Sequence, residues 1–317
     1  VHHNNGTKAV KNVSGILPFS QVDSGIKSTS TEVKLNYTKE NLSNDTSMLA
    51  LYQHAELNIT LQHDQERLLG GSTVDNTEPS PFAVYITALD SDGSAVQRYC
   101  SGALLTAGLV ITAATCVVDA YGILVYAGEN EAGDGVNRAA TAIIYPKYSR
   151  NCREHDIALL QLASPFKITG TARTHDSFIN TVLLPASGTY NKYSNFLGKY
   201  FKIYGYGTSA ESDTPSDLNY IDVSVQSASE CAATAAAKFY RLGANHLCLD
   251  SAFGKKGICK GDLGAPVVVQ ITTASRGTVL VAIATDYFKC SDPAIITKIA
   301  PYLPWIRSYV SIADNQG

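Results

Sequence analysis

Short apolar runs broken by turn residues recur from Pro81 almost to the C-terminus, and this pattern narrows the choice of fold most: it is that of an all-β domain. Phe82-Ala83-Val84-Tyr85-Ile86-Thr87 reads as a strand, and Asp90-Ser91-Asp92-Gly93-Ser94 as the turn that follows. Leu280-Val281-Ala282-Ile283-Ala284 is a continuous apolar run, expected to be buried. Helical signals are few. Ser227-Ala228-Ser229-Glu230 is a capping box ahead of an Ala-rich helix expected to end near Arg241. Near the end, Pro304-Trp305-Ile306-Arg307-Ser308-Tyr309-Val310 puts Ile306 and Val310 four apart on one helical face.

The 317 residues can hold one large domain or two ordinary ones, and 45% apolar residues are enough for a sizeable core. A net charge of -3 weighs against a nucleic-acid partner, which needs a clustered basic face. No apolar run approaches the roughly 18 residues of a membrane span, so no membrane partner is expected. Seven cysteines fit an oxidising compartment, and the absence of Cys-x-x-Cys removes the spacing of a zinc or redox site. No metal and no cofactor is expected. Asn5, Asn12, Asn36, Asn41, Asn44 and Asn58 each open an Asn-x-Ser/Thr sequon, and no sequon follows Asn58. Residues 1–67 contain no Cys and no Trp and are rich in Asn, Ser, Thr and Lys. They are expected to form a poorly ordered, N-glycosylated segment, with Met48–Leu57 as a short helix at most. His2 and His3 read as a solvated pair at a flexible end. The sequons, the cysteines and a first residue other than Met together point to a secreted, extracellular protein.

Cys259-Lys260-Gly261-Asp262-Leu263-Gly264-Ala265-Pro266 resembles the nucleophile loop of the chymotrypsin/trypsin family, Cys-x-Gly-Asp-Ser-Gly-Gly-Pro, with Leu263 at the serine and Ala265 at one glycine. Cys100-Ser101-Gly102-Ala103-Leu104-Leu105 and Leu109-Val110-Ile111-Thr112-Ala113-Ala114-Thr115-Cys116 are similar to the family's Cys-Gly-Gly-Ser-Leu-Ile and Leu-Thr-Ala-Ala-His-Cys. Thr115 stands at the histidine. Asp156-Ile157-Ala158-Leu159-Leu160 resembles the strand carrying the triad aspartate, and Tyr204-Gly205-Tyr206-Gly207-Thr208 the Gly-Trp-Gly-Thr turn. Arg67-Leu68-Leu69-Gly70-Gly71 looks like the activation site, where a trypsin-like protease would cut and the new amine of Leu68 would pair with Asp262.

The resemblance covers about residues 68–312. It implies two six-stranded antiparallel Greek-key β-barrels, about 68–180 and 199–300, within a domain spanning 68–317. A short intermediate helix and a C-terminal helix at about 302–312 complete the expected fold. It also implies disulfides Cys100–Cys116, Cys231–Cys248 and Cys259–Cys290, whereas spacing alone does not choose among fifteen pairings of six cysteines. Cys152 is left over, either a buried thiol or a bond to a partner chain. Gly261 and Leu263 would supply the N–H groups of an oxyanion hole. Gly257 and Ile258 fall at the base of the specificity pocket, where trypsin-like enzymes carry an acid. Thr285, Asp286, Tyr287, Lys289 and Ala294 stand where open-pocket members have Ser-Trp-Gly and small residues, so the pocket is expected to be occluded.

A threonine hydroxyl takes no proton at neutral pH and a leucine has no nucleophile, so Thr115 and Leu263 imply an inactive serine endopeptidase homologue. Asp156 keeps its place, with a role as hydrogen-bond acceptor, toward Thr115 among others. His155 is expected to face away from that corner, and His175 and His246 lie in no motif. The expected function is binding of an extracellular protein partner, a protease or a glycoside hydrolase, as inhibitor, decoy or cascade regulator. Inactive members of the family assist protease cascades, interfere with complement or inhibit glucanases. Two alternatives stand beside it: a structural coat glycoprotein, and a residual hydrolase with a non-standard nucleophile.

Overall fold

The structure is a computed structural model, and it describes residues 68, 71–74, 80–93, 96–151, 153–169, 178–185, 200–208, 217–237, 242–250, 257–270, 277–287, 290 and 293–314. In the first half, β2 (Ala83–Leu89), β3 (Val96–Thr106), β4 (Leu109–Thr112), β5 (Ile123–Ala127), β6 (Val136–Ile144) and β7 (Ala158–Leu162) close into a barrel in the order β2-β3-β4-β7-β6-β5. A single-turn helix, α1 (Ala114–Val117), leaves β4. The second half contains β8 (Phe201–Gly205), β9 (Asn219–Val223), α2 (Ala228–Ala237), β10 (His246–Cys248), β11 (Pro266–Gln270), β12 (Thr278–Asp286) and β13 (Ile295–Lys298). A 3₁₀ turn at Ala300–Tyr302 leads into α3 (Leu303–Asp314).

Strands that face two cores explain why the apolar runs are continuous rather than alternating. On β2, Val84 and Ile86 enter the first barrel with Cys100, Leu104, Val110, Val125 and Leu160. Ala83 and Tyr85, one residue out of phase, join a separate core with Ile111, Leu159, Tyr204, Leu280, Ile283 and Ile306. That second core lies between the two halves and α3, so both faces of β2 are dry and period two becomes invisible in hydropathy. A third core fills the second half around Phe201, Ile203, Ile221, Val267, Val281 and Ile296.

One expectation needs correction. The second half is a seven-stranded sheet, β1-β9-β8-β11-β12-β13-β10, with β1 (Ser72–Thr73) added at one edge, rather than a six-stranded ladder closed on itself. Its ends approach where an isolated bridge joins Val225 to Leu249, just beyond β9 and β10. β10 spans only His246–Cys248, too short to carry a closing ladder. The helices lie close to the expected places. The capping box forms as the sequence suggests, with Ser227 N–H donating to Glu230 Oε2 (2.9 Å) and Glu230 N–H to Ser227 Oγ (3.3 Å). On α3, Ile306 is fully buried and Val310 packs on the same core. Disulfides join Cys100 to Cys116, Cys231 to Cys248 and Cys259 to Cys290.

Candidate functional site

The loop before β11 is a chain of tight turns. Asp262 N–H donates to the Cys259 carbonyl (3.0 Å) and Ala265 N–H to the Asp262 carbonyl (2.9 Å). Gly261 and Gly264 adopt φ of 97° and 83°, left-handed values that favour glycine. Gly264 has a second reason to be glycine: a Cβ there would lie 2.1 Å from Thr112 Oγ1 and 2.2 Å from the Ser101 carbonyl oxygen. Ser101 binds the loop to the first barrel, its N–H donating to the Leu263 carbonyl (2.9 Å) and its hydroxyl to the Gly261 carbonyl (2.9 Å). The same hydroxyl accepts from Tyr206 N–H (3.0 Å). Nothing in the sequence singled out Ser101. Its value appears only when loop and barrel meet. Among the described residues, the N–H groups of Gly261 and Leu263 donate to no backbone acceptor. The Leu263 side chain packs on the cores of both halves.

Asp262 is fully buried beneath this loop. One carboxylate oxygen accepts from Gly207 N–H (2.8 Å) and the other from Cys259 N–H (2.8 Å). Burial raises its pKa to about 7, against the pull of those two amides. A Cβ on Gly207 would meet the carboxylate at 2.3 Å, which accounts for glycine in that turn. Leu68, fully buried, belongs to the same core as Ile258 and Ala265.

Across the cleft, Asp156 is buried and bound to Thr115 twice. Thr115 N–H donates to Oδ1 (2.7 Å) and its hydroxyl to Oδ2 (2.7 Å). Because that hydroxyl proton is committed to the carboxylate, Tyr148 O–H, 3.0 Å away, donates to Thr115 Oγ1. Burial pushes Asp156 up to about 6; the Thr115 hydrogen bonds oppose the shift and the Asp286 carboxylate adds to it. Burial likewise raises Tyr148. The corner is thus a closed relay of hydroxyls ending on a carboxylate.

The residues at the expected pocket lie together. Gly257, Ile258 and Ala294 are buried, and Thr285 turns inward, its hydroxyl 3.1 Å from that of Thr297. Tyr287 packs on the second core. Asp286 accepts from Tyr287 N–H (2.9 Å) and forms an ion pair with Arg153, a residue that no motif placed here. His155 points elsewhere: its Nδ1 lies 3.0 Å from Tyr302 O–H, and its ring packs on Tyr145. His246 accepts from Gly243 N–H through Nδ1 (3.0 Å). The sequons from Asn5 to Asn58, the short helix at Met48–Leu57, Arg67, Cys152, His175 and Lys289 lie outside the described residues.

The family profile described as Trypsin matches residues 70–306. Trypsin alpha of Drosophila erecta is 29% identical over 251 residues, 76% of this chain and 87% of that protein. Human kallikrein-7 is 28% identical over 221 residues, 67% of this chain and 77% of its own length. Among solved structures, HL collagenase aligns with a TM-score of 0.63 at 22% identity, covering 76% of this chain and 97% of that one. The scabies mite inactivated protease paralogue S-D1 aligns with a TM-score of 0.63 at 23% identity, covering 77% and 97%. The barrel with its C-terminal helix and the reach of the family match agree: this chain belongs to the trypsin family of serine proteases.

Proposed function

We propose that the chain is a secreted, non-catalytic member of its family that acts by binding a protein. The observation that carries this reading is the Thr115–Asp156 pair: the carboxylate that orients an imidazole in active members accepts from a threonine instead. The facing position, Leu263, offers packing and no nucleophile. In a serine protease, losing the nucleophile or the base costs a factor of about 10⁶ in turnover. The free N–H groups of Gly261 and Leu263 alone sustain only about 10³–10⁴ over water. Three disulfides support an oxidising, extracellular setting.

The partner is an extracellular protein, a protease or a glycoside hydrolase, engaged by the surface around the cleft. The fold of the chain is shared with the scabies mite inactivated protease paralogue, which supports a role without chemistry. Cleavage after Arg67 by a trypsin-like protease would free an amine at Leu68, and buried Asp262, held by backbone amides, is the group suited to receive it. Pull-down from native extracellular fluid with cut and uncut protein tests the proposal. A protein captured in a cleavage-dependent way supports it. Deleting residues 1–67 separates the readings: retained capture assigns binding to the folded domain, and lost capture assigns it to the sequon-rich segment of a coat glycoprotein. No capture by either form overturns the binding role.

A further inference from the structure

Beyond Ala284, β12 leaves its neighbour. The last ladder pair with β11 is Pro266 with Ile283, after which Ala284 bonds to the loop through Ala265 and Gly264 (2.9 and 2.7 Å). Beyond that point Asp286 pairs with Ile295 of β13 and no residue of β11 faces it, so among the described residues the other side of the strand end is an edge. Such an edge is a template for an added strand from a peptide. At a register shift between Ala284 and Asp286, Thr285 turns into the core while Asp286 meets Arg153, and bulges are commonly used in this way to re-aim a side chain.

We propose that Asp286 and Arg153 form a latch that closes this edge to peptide strands. One oxygen of Asp286 takes the Tyr287 N–H, the donor that an incoming strand would need (2.9 Å). The other oxygen bonds the guanidinium of Arg153, which stands on the loop between β6 and β7 of the opposite barrel. The carboxylate side chain is 12% exposed and the arginine 53%, so the anionic half of the pair is the buried one and the cationic half faces solvent. Arg153 reaches it from a backbone φ of 51°, uncommon for a residue with a side chain. A charged group inserted beside an edge is a recurrent way of preventing strand addition, and here it also ties the barrel to the second sheet. The latch operates whether or not the cleft binds a partner by another route, and its failure is separable from that of the binding role.

Hydrogen exchange of the Tyr287 amide tests it, with the Ile283 amide, inside the ladder, as the control for folding. Asp286→Ser is expected to speed exchange at Tyr287 about tenfold or more and leave Ile283 unchanged. An unchanged Tyr287 rate overturns the proposal. Should that variant not fold, Arg153→Leu carries the same readout, with a several-fold acceleration that Arg153→Lys reverses; equal rates in all three overturn it. The second readout is binding of a Kunitz-type inhibitor with leucine at its contact residue. The double variant Arg153→Leu/Asp286→Ser is expected to bind at least about tenfold tighter than the native chain. Equal affinity, or an exposed amide with no gain in affinity, overturns the pair as the element that excludes a strand.

Discussion

Asp156, just before β7, and Asp262, in the loop before β11, are both buried carboxylates, and they are satisfied in different ways. Asp156 accepts from the Thr115 backbone amide and from the Thr115 hydroxyl, which Tyr148 in turn supplies, so one of these donors changes with the sequence. Among the described residues, Asp262 accepts only from the backbone amides of Gly207 and Cys259, donors that no substitution other than proline removes. The first site shows a carboxylate satisfied by one threonine, through its backbone and its hydroxyl together. The second shows a loop whose fold requires its aspartate whatever residue follows it. The first corner is thus closed by side-chain hydroxyls as well as backbone, and the second loop is held by its own backbone and that of Gly207.

The largest effect is expected at Asp262. Asp262→Ala leaves two buried N–H groups without an acceptor, at about 1–3 kcal/mol each, and urea unfolding should show a loss on the order of 3–5 kcal/mol. A loss comparable to that of a surface substitution would remove the distinction drawn between the two carboxylates.

Next in size is the dependence on pH. Asp262 has its folded pKa raised to about 7 and Asp156 to about 6, both above the unfolded value, so the folded state binds the extra proton more tightly. Their contribution is fully present below about pH 4 and is lost as pH rises through about 6 for Asp156 and about 7 for Asp262. At 1.36 kcal/mol per unit, Asp262 alone accounts for on the order of 3–4 kcal/mol between pH 4 and 8. Urea midpoints compared at pH 5 and 8 should be higher at pH 5, and Asp262→Asn should flatten the slope above pH 6 while leaving that of Asp156.

Smaller still, Thr115→Val removes the donor to Asp156 and is expected to lower stability by about 1.5–3 kcal/mol at pH 8, less at pH 5 where the carboxylate is neutral. If the loss is the same at both values, the hydroxyl is not bonded to a titrating group. The smallest change is expected from Arg150→Ala, which breaks an exposed ion pair with Asp119; the melting midpoint should not move measurably.

Local chemistry made much of this legible in the sequence. The capping box needs only Ser227 and Glu230 three apart, and the glycines around Asp262 are dictated by a turn within a single loop. The features that sequence did not reveal depend on meetings between distant segments. Arg153 comes from the barrel half and Asp286 from the second sheet, Ser101 matters because the loop folds over it, and Tyr148 because α1 lies beside it. The second sheet differs from the expected closed barrel because β10 is too short to complete a ladder, and strand length was the quantity least readable from hydropathy.

Hydrolysis of casein and of a small ester, after cleavage at Arg67 and repurification, tests the central claim most directly. The account predicts no turnover above the uncatalysed rate, and none gained when the cut form is compared with the uncut. Turnover that survives repurification and scales with the amount of the chain would contradict it, and would show that a group other than a serine and a histidine performs the chemistry at this cleft.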